Sequence, residues 1–347
     1  MKLNRRRFLT TSAAAATAGL ASPHLALAST SVRWNWIAIQ PLSQPFLAKI
    51  ADGFKRIEER TEGNFAVQHG NITETPFKAN EGLSLIRDGL ADVMEWYPGY
   101  VSNTYPMLVA PELPFIMPEY WKTEQGVKSS LAAMETPTVK AAYDKVFGDH
   151  GATKGLRVIW EPISIWSNKE EMSPIDLKGG VYRANTRETA DLIAALGGVA
   201  EFMSITDVYL SLQRNAVQGF SGSTASVMTY KLFEVLKSGV LTNNQYTSGT
   251  FLVRQAAVDA LPDELRKIYD EEMAATQQKL NNFTIVSESA ARKKAEEAGL
   301  SVRDVTTDEY ARLRDTAQNN VWSSWKERAG ADGATALEEV TAAIASV

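Results

Sequence analysis

The stretch Ser31-Val32-Arg33-Trp34-Asn35-Trp36-Ile37-Ala38, with Gln40-Pro41-Leu42-Ser43-Gln44-Pro45 and residues 46–61 behind it, decides the fold class. Its first eight residues alternate and read as a strand. The Pro-bearing hexapeptide breaks that strand. Phe46, Ile50, Phe54 and Ile57 then recur at helical spacing, which predicts an amphipathic helix over 46–61. Outward from there, Gly63 closes the helix and residues 64–68 read as a second strand. A second helix covers 78–88 and ends near Gly89. Ala91-Asp92-Val93-Met94-Glu95-Trp96 is a third strand. A β-α-β-α-β order implies a parallel sheet with right-handed crossovers. Ligands of such sheets lie beyond the carboxyl ends of the strands. Here those ends lead into the loops 40–45, 71–76 and 97–105.

A second α/β unit begins near Arg157. Residues 157–166 read as one or two extended segments. Leu177-Lys178-Gly179-Gly180-Val181-Tyr182-Arg183 is a turn feeding a short strand. Helices follow over 186–196 and 204–214, then a strand over 216–221. Residues 246–253 read as a long strand that returns the chain to the first unit. After Leu261-Pro262-Asp263 a helical pattern runs unbroken to about Glu297, long enough to span both units. Thr306-Thr307-Asp308 caps a last amphipathic helix reaching about Ala329.

The first 28 residues stand apart. Lys2, Arg5, Arg6 and Arg7 precede an Ala-rich apolar stretch without acids, and Ala26-Leu27-Ala28 supplies small residues for cleavage. This is an export signal. Phe8-Leu9 after the Arg5-Arg6 pair gives it the twin-arginine pattern. Its apolar stretch is too short for a membrane span. The net charge of −5 over 347 residues becomes more negative once those four cations are removed. An acidic chain without a basic run argues against nucleic acid or an anionic membrane as partner. With no Cys and only His24, His69 and His150, thiolate chemistry and a His-rich metal site are excluded or improbable. The sequence contains no nucleophile elbow, GxGxxG, P-loop or HExxH. His69 and His150, each followed by Gly, read as ordinary loop histidines.

Arg183, at a strand end before a helix, could clamp a carboxylate through two parallel hydrogen bonds. It could equally be a surface cation paired with Glu188 or Asp191. Trp34, Trp36, Trp96, Tyr97, Tyr100, Trp160 and Trp166 cluster near loop mouths, where aromatics wall ligands or simply fill cores. Trp96-Tyr97, at the end of a parallel strand, is the best candidate wall.

Asp176-Leu177-Lys178-Gly179-Gly180-Val181-Tyr182-Arg183 resembles the "DLKG-x-K-x-R" element of TRAP-transporter substrate-binding proteins of the DctP type. About twenty residues later, Met203-Ser204-Ile205-Thr206-Asp207-Val208-Tyr209-Leu210-Ser211-Leu212-Gln213 through Gly219 resembles that family's second element. Gly89-Leu90-Ala91-Asp92-Val93 and Leu113-Pro114-Phe115 resemble two shorter ones. The resemblance implies an α/β, two-lobed periplasmic binding protein with hinge strands and a long helix bridging both lobes. The first lobe would be 29–155 plus 251–305, the second 156–250 plus 306–347. It implies a periplasmic, non-enzymatic protein that captures a small organic anion and delivers it to TRAP permease membrane subunits, with no cofactor and no metal. Arg183 matches the family Arg that grips the ligand carboxylate.

The position of a second family Arg is taken here by Ile163, and the usual Asn and Glu after the "LQ" helix give way to Phe220-Ser221-Gly222-Ser223. A monocarboxylate with a larger body therefore suits the pocket better than a dicarboxylate. Arg183 would hold the acid, Trp96, Tyr97 and Trp166 would pack the body, and Ser221 and Gln40 would offer polar contacts. An exported two-lobed enzyme and a sensory ligand-binding module are the alternative functions.

Overall fold

The computed structural model of the protein describes residues 31–117, 123–281 and 283–347, with side chains left out at 123 and 284–289. The expected export signal, 1–28, lies outside the described residues. Among the described residues eleven strands form two sheets. The first contains β1 (Val32–Ala38), β2 (Phe65–Asn71), β3 (Val93–Trp96), β4 (Ala152–Ile159) and β10 (Ser248–Arg254), in the order β2-β1-β3-β10-β4. The second contains β5 (Ile163–Ser167), β6 (Val181–Ala184), β7 (Val199–Phe202), β8 (Gly219–Gly222), β9 (Ser238–Gln245) and β11 (Ser301–Asp304), in the order β11-β9-β5-β8-β6-β7.

The opening β-α-β-α-β reading holds. β1 pairs in parallel with both β2 and β3. Pro45 at the first helical turn suits a residue with fixed φ and no N–H. The helix Pro45–Arg60 then buries Phe46, Leu47, Ile50, Phe54 and Ile57. Alternation along β1 sends Trp34 and Trp36 to the face this helix covers, and Ile37 to the opposite core with Met94 and Trp96. Both faces of the sheet are therefore apolar, as a helix-covered parallel sheet requires.

The chain crosses between the sheets at Trp160-Glu161-Pro162 and again at Tyr246-Thr247. These crossings lie side by side. Ser248 pairs with Ile159, Ile163 pairs with Gln245, and the Trp160 N–H donates to Thr247 O at 2.8 Å. The β4–β5 and β10–β9 segments thus form one two-stranded ribbon through both lobes. Glu112 holds the start of β10, its Oε1 accepting from Ser248 N at 2.9 Å and from Ser248 Oγ at 2.6 Å.

Several sequence boundaries need correction. β4 continues past residue 155 to Ile159, so the first crossing comes later than expected. Ser301–Asp304, expected in the first lobe, pairs in parallel with β9 of the second sheet. The helical run 261–297 comprises the helices Asp263–Asn281 and Thr284–Glu297. The first packs on the helix Pro45–Arg60 and on β4; the second packs on the helix Thr224–Thr229 and on β11. The second also packs on Thr123–Met134 beside the first sheet, so the run touches both lobes as expected. The Thr306 capping box forms as expected, Thr306 accepting from Glu309 N while Glu309 reaches back. That helix is not the last. Gly333–Ala345 follows it and packs on Thr123–Met134 and Pro137–Asp149, beside the first sheet rather than in the second lobe.

Candidate functional site

A cavity of about 80 Å³ opens between the lobes. The carboxyl ends of β1 and β3 supply its first wall, through Ile39, Gln40, Gln44, Glu95, Tyr97 and Tyr100. The hinge ribbon supplies Trp160, Glu161, Ile163 and Thr247. The second lobe supplies Arg183, Asn185 and Phe220 at the ends of β6 and β8. This is the carboxyl-end position that the parallel strand order predicts.

Arg183 is only 3% exposed. Its Nε donates to Met203 O at 3.0 Å and its Nη1 to Ser221 O at 2.8 Å, so the carbonyls beyond β7 and on β8 fix the guanidinium. Phe220 lies against it, with 5.4 Å from Cζ to the ring centroid. Neither acid that could have neutralised it does so. Glu188 pairs with Arg328, and Asp191 with Arg187 and Arg328. Burial pulls the Arg183 pKa down, and the nearby Tyr100, Tyr97 and Tyr230 hydroxyls act against that. A buried cation without a paired anion is costly, and an anion entering the cavity would relieve that cost.

Glu95 faces the same cavity from the first lobe and is fully buried. Its Oε2 accepts from Ile39 N at 2.7 Å and Gln40 N at 2.9 Å; its Oε1 accepts from Gln40 Nε2 at 3.0 Å. Burial raises its pKa to about 7, against the pull of those hydrogen bonds. Hydrogen bonds join the walls. Asn185 Nδ2 donates to the Tyr97 hydroxyl at 2.9 Å, and the Ile205 N–H donates to the Tyr100 hydroxyl at 3.3 Å. Trp160 Nε1 is buried without an acceptor among the described residues and is a free donor on the wall.

Of the six residues expected to meet a ligand, the cavity brings together Arg183, Tyr97 and Gln40. Trp96, Trp166 and Ser221 are elsewhere. Glu95 and Tyr97 face the cavity, so alternation turns Trp96 between them into the core against Phe147. Phe220 and Gly222 flank Ser221 in the same way, and its hydroxyl is buried on the other face. β5 runs antiparallel to β8, so Trp166 pairs with Phe220, towards the amino end of β8, and packs with Val208 and Leu212. His69 is on β2 against Trp36, not in a loop, and outside the cavity.

The residues that sequence reasoning passed over are Glu95, Gln44, Asn185 and Glu161. Glu95 was visible as a charged residue inside an otherwise apolar strand, Val93-Met94-Glu95-Trp96. Among the described residues no three His, Asp or Glu side chains converge as a metal site.

The profile of the DctP family, bacterial extracellular solute-binding protein family 7, matches residues 42–328. The chain belongs to that family. The C4-dicarboxylate-binding periplasmic protein DctP of Rhodobacter capsulatus is 27% identical over 149 residues, 43% of this chain and 44% of its own. The chain spans about half the length of the first curated relatives it matches, 48% of one and 44% of the other. Many solved structures share the fold, among them the following two. One is DctP7, a Bordetella pertussis extracytoplasmic solute receptor binding pyroglutamic acid. It has a TM-score of 0.79 and 17% identity, over 89% of this chain and 99% of that one. The other is a marine metagenome TRAP solute-binding protein specific for aromatic acid ligands, in complex with 3-hydroxybenzoate. It has a TM-score of 0.78 and 21% identity, over 91% and 99%. Family and fold are those of extracytoplasmic binding proteins. Among the described residues no helix of this DctP-family chain is long and apolar enough to cross a membrane.

Proposed function

We propose that this DctP-family chain is a periplasmic, non-catalytic receptor that closes its two lobes over a small monocarboxylate. It then presents the loaded cleft to the membrane subunits of a TRAP permease. The observation that carries the reading is Arg183: a cation 3% exposed, held by two carbonyls, on a cavity wall, and paired with no carboxylate among the described residues. Ile163 supports one acid group rather than two, because it puts an apolar side chain on the wall where a second cation would stand. The structural neighbours' ligands, pyroglutamic acid and 3-hydroxybenzoate, are acids of the same size class. Closure follows from the same contacts. A ligand shifts the population towards the closed form only if it touches both lobes, and the cavity has walls on both.

The test is titration calorimetry of the purified protein and of Arg183→Ala and Arg183→Lys against a panel of monocarboxylates and dicarboxylates. Wild type should bind monocarboxylates. Arg183→Ala should lose about 100-fold or more, the cost of removing one partner of a buried charge pair. Arg183→Lys should also be weakened, because a point charge cannot keep two carbonyls and a carboxylate in one plane. Unchanged affinity in a folded Arg183→Ala protein would refute the anchor.

A further inference from the structure

The first-lobe wall of the cavity ends in an acceptor, and nothing above assigns that acceptor a role. A carboxylate offers about four lone-pair sites. On Glu95 three are taken: two on Oε2 by the N–H groups of Ile39 and Gln40, one on Oε1 by Gln40 Nε2. The remaining site is on Oε1, on a side chain that lines the cavity. The direction of the chain leading to it is fixed. Gln44 Nε2 donates to Gln40 Oε1 at 2.8 Å, which leaves the Gln40 amide nitrogen for Glu95. Asn71 Nδ2 ties the Gln40 backbone carbonyl at 3.0 Å. Every member donates forwards, so the relay ends in an acceptor and not in a donor.

We propose that Glu95 selects, among small monocarboxylates, those carrying an N–H or O–H donor at the end remote from the carboxylate, by accepting that donor at Oε1. The proposal rests on the reading that Arg183 anchors the ligand's acid. It sets the ligand's polarity: acid towards the second lobe, donor towards the first. A second carboxylate at the first-lobe end would face Glu95, with Glu161 of the hinge ribbon lining the same cavity, and be repelled. A purely apolar tail would bury the Oε1 lone pair unpaired, which is the penalty a hydrogen-bonding site uses to reject an analogue lacking its donor.

Protonation gives an independent readout. The titratable groups sharing the cavity with Glu95 are Tyr97, Tyr100, Glu161 and Arg183, and Tyr230 lies close enough for the Glu95 charge to raise its pKa. Burial raises the pKa of Tyr97 and of Tyr230 above the ordinary tyrosine value, and a guanidinium keeps its charge in proteins. A donor-bearing ligand needs the ionised form of Glu95, whose pKa is about 7. Its affinity should therefore fall about tenfold from pH 8 to pH 6, as the competent fraction falls. A dicarboxylate would show the opposite slope.

The experiment is calorimetry of the purified protein with two matched pairs, 3-hydroxybenzoate against benzoate and 4-hydroxybutanoate against pentanoate, and with succinate. The expected result at pH 8 is that at least one donor-bearing acid binds tenfold or more tighter than its partner. Glu95→Gln should abolish or reverse that preference, since the side-chain oxygen stays on the two backbone N–H groups and an amide N–H replaces Oε1. Equal binding within both pairs, or a preference that survives in Glu95→Gln, overturns the selector and leaves Arg183-dependent acid binding standing. Should Glu95→Gln not fold, the wild-type pH series decides: a flat or inverted slope for the donor-bearing acids overturns the proposal. Binding of none of these acids by the folded wild type would remove the proposed function itself, and this inference with it.

Discussion

Asn185 at the end of β6 donates its Nδ2 hydrogen to the hydroxyl of Tyr97 at the end of β3, and this 2.9 Å bond crosses the cleft. It exists only while the lobes are together. In an open form both groups would meet water; in the closed form each satisfies the other in a buried setting. Tyr97→Phe leaves the Asn185 amide buried without that acceptor, a penalty of about 1–3 kcal/mol carried by the closed state alone. The expected outcome is a 5- to 100-fold loss of ligand affinity and little change in the melting temperature of the free protein. Calorimetry and thermal unfolding together check it. A large loss of free-protein stability would mean the bond is structural rather than part of closure.

Glu112 makes stability depend on pH. Burial raises its pKa to about 8, against the hydrogen bonds from Ser248 that favour the charged form. Glu95 is raised to about 7 by the same cause. An acid with a raised folded-state pKa binds its proton more tightly folded than unfolded. Its contribution is present below the unfolded pKa and is lost as pH rises through the folded value. These two groups therefore favour the folded state most below about pH 4.5 and progressively less up to about pH 8. Glu112→Gln keeps an acceptor for Ser248 and removes the cost of ionisation. It should be more stable than wild type at pH 8 by about 2 kcal/mol or more, with the two converging near pH 5. Denaturant unfolding at the two pH values measures this, and a parallel offset at both would argue against the assignment.

Much of this architecture was readable from residue order. The first three strands and two helices could be drawn because each apolar set had a clean period, such as Phe46, Ile50, Phe54 and Ile57. The return strand was legible for a similar reason, as a β-rich run after Tyr246. The helical run over 263–297 was legible too, because no Gly or Pro interrupts it. In the site, Arg183 was legible by motif. Trp96, Trp166 and Ser221 were misplaced because a loop mouth was inferred without assigning strand faces, and in a strand one residue's difference reverses the direction of a side chain. Glu95 is legible only by its setting, since a carboxyl amid Val93, Met94 and Trp96 is a rarer event than an aromatic ring there.

The docking of the first long helix on the first lobe depends on Glu272. It accepts from Arg56 Nε at 2.7 Å and Arg60 Nη1 at 2.9 Å. Beside it, a Cβ on Gly53 would stand 2.5 Å from Thr276 Oγ1, so only glycine allows the two helices this close. Gly53→Val should force them apart and cost about 1–3 kcal/mol, the usual effect of overpacking. Glu272→Gln, whose arginine partners are partly exposed, should cost about 1 kcal/mol, mostly screened by salt. Thermal unfolding at low and high ionic strength separates the two: the Glu272 effect should shrink with salt and the Gly53 effect should not.

Ser221 and Trp96 separate wall from core. The Ser221 hydroxyl is buried, has no partner among the described residues and faces away from the cavity. Ser221→Ala deletes an unsatisfied polar group, so stability should stay level or rise by a few tenths of a kcal/mol. Affinity should hold within about twofold, since the hydrogen bond from Arg183 is to the Ser221 carbonyl and survives the change. Trp96 is fully buried against Phe147, and its ring lies next to Gly82. Trp96→Ala should cost about 3–5 kcal/mol of stability. Trp96→Phe fills most of the space and should retain affinity for whatever monocarboxylate the wild type binds. A selective loss of affinity in Ser221→Ala or Trp96→Phe, with unfolding unchanged, would put these side chains back on the ligand and contradict the strand faces described above.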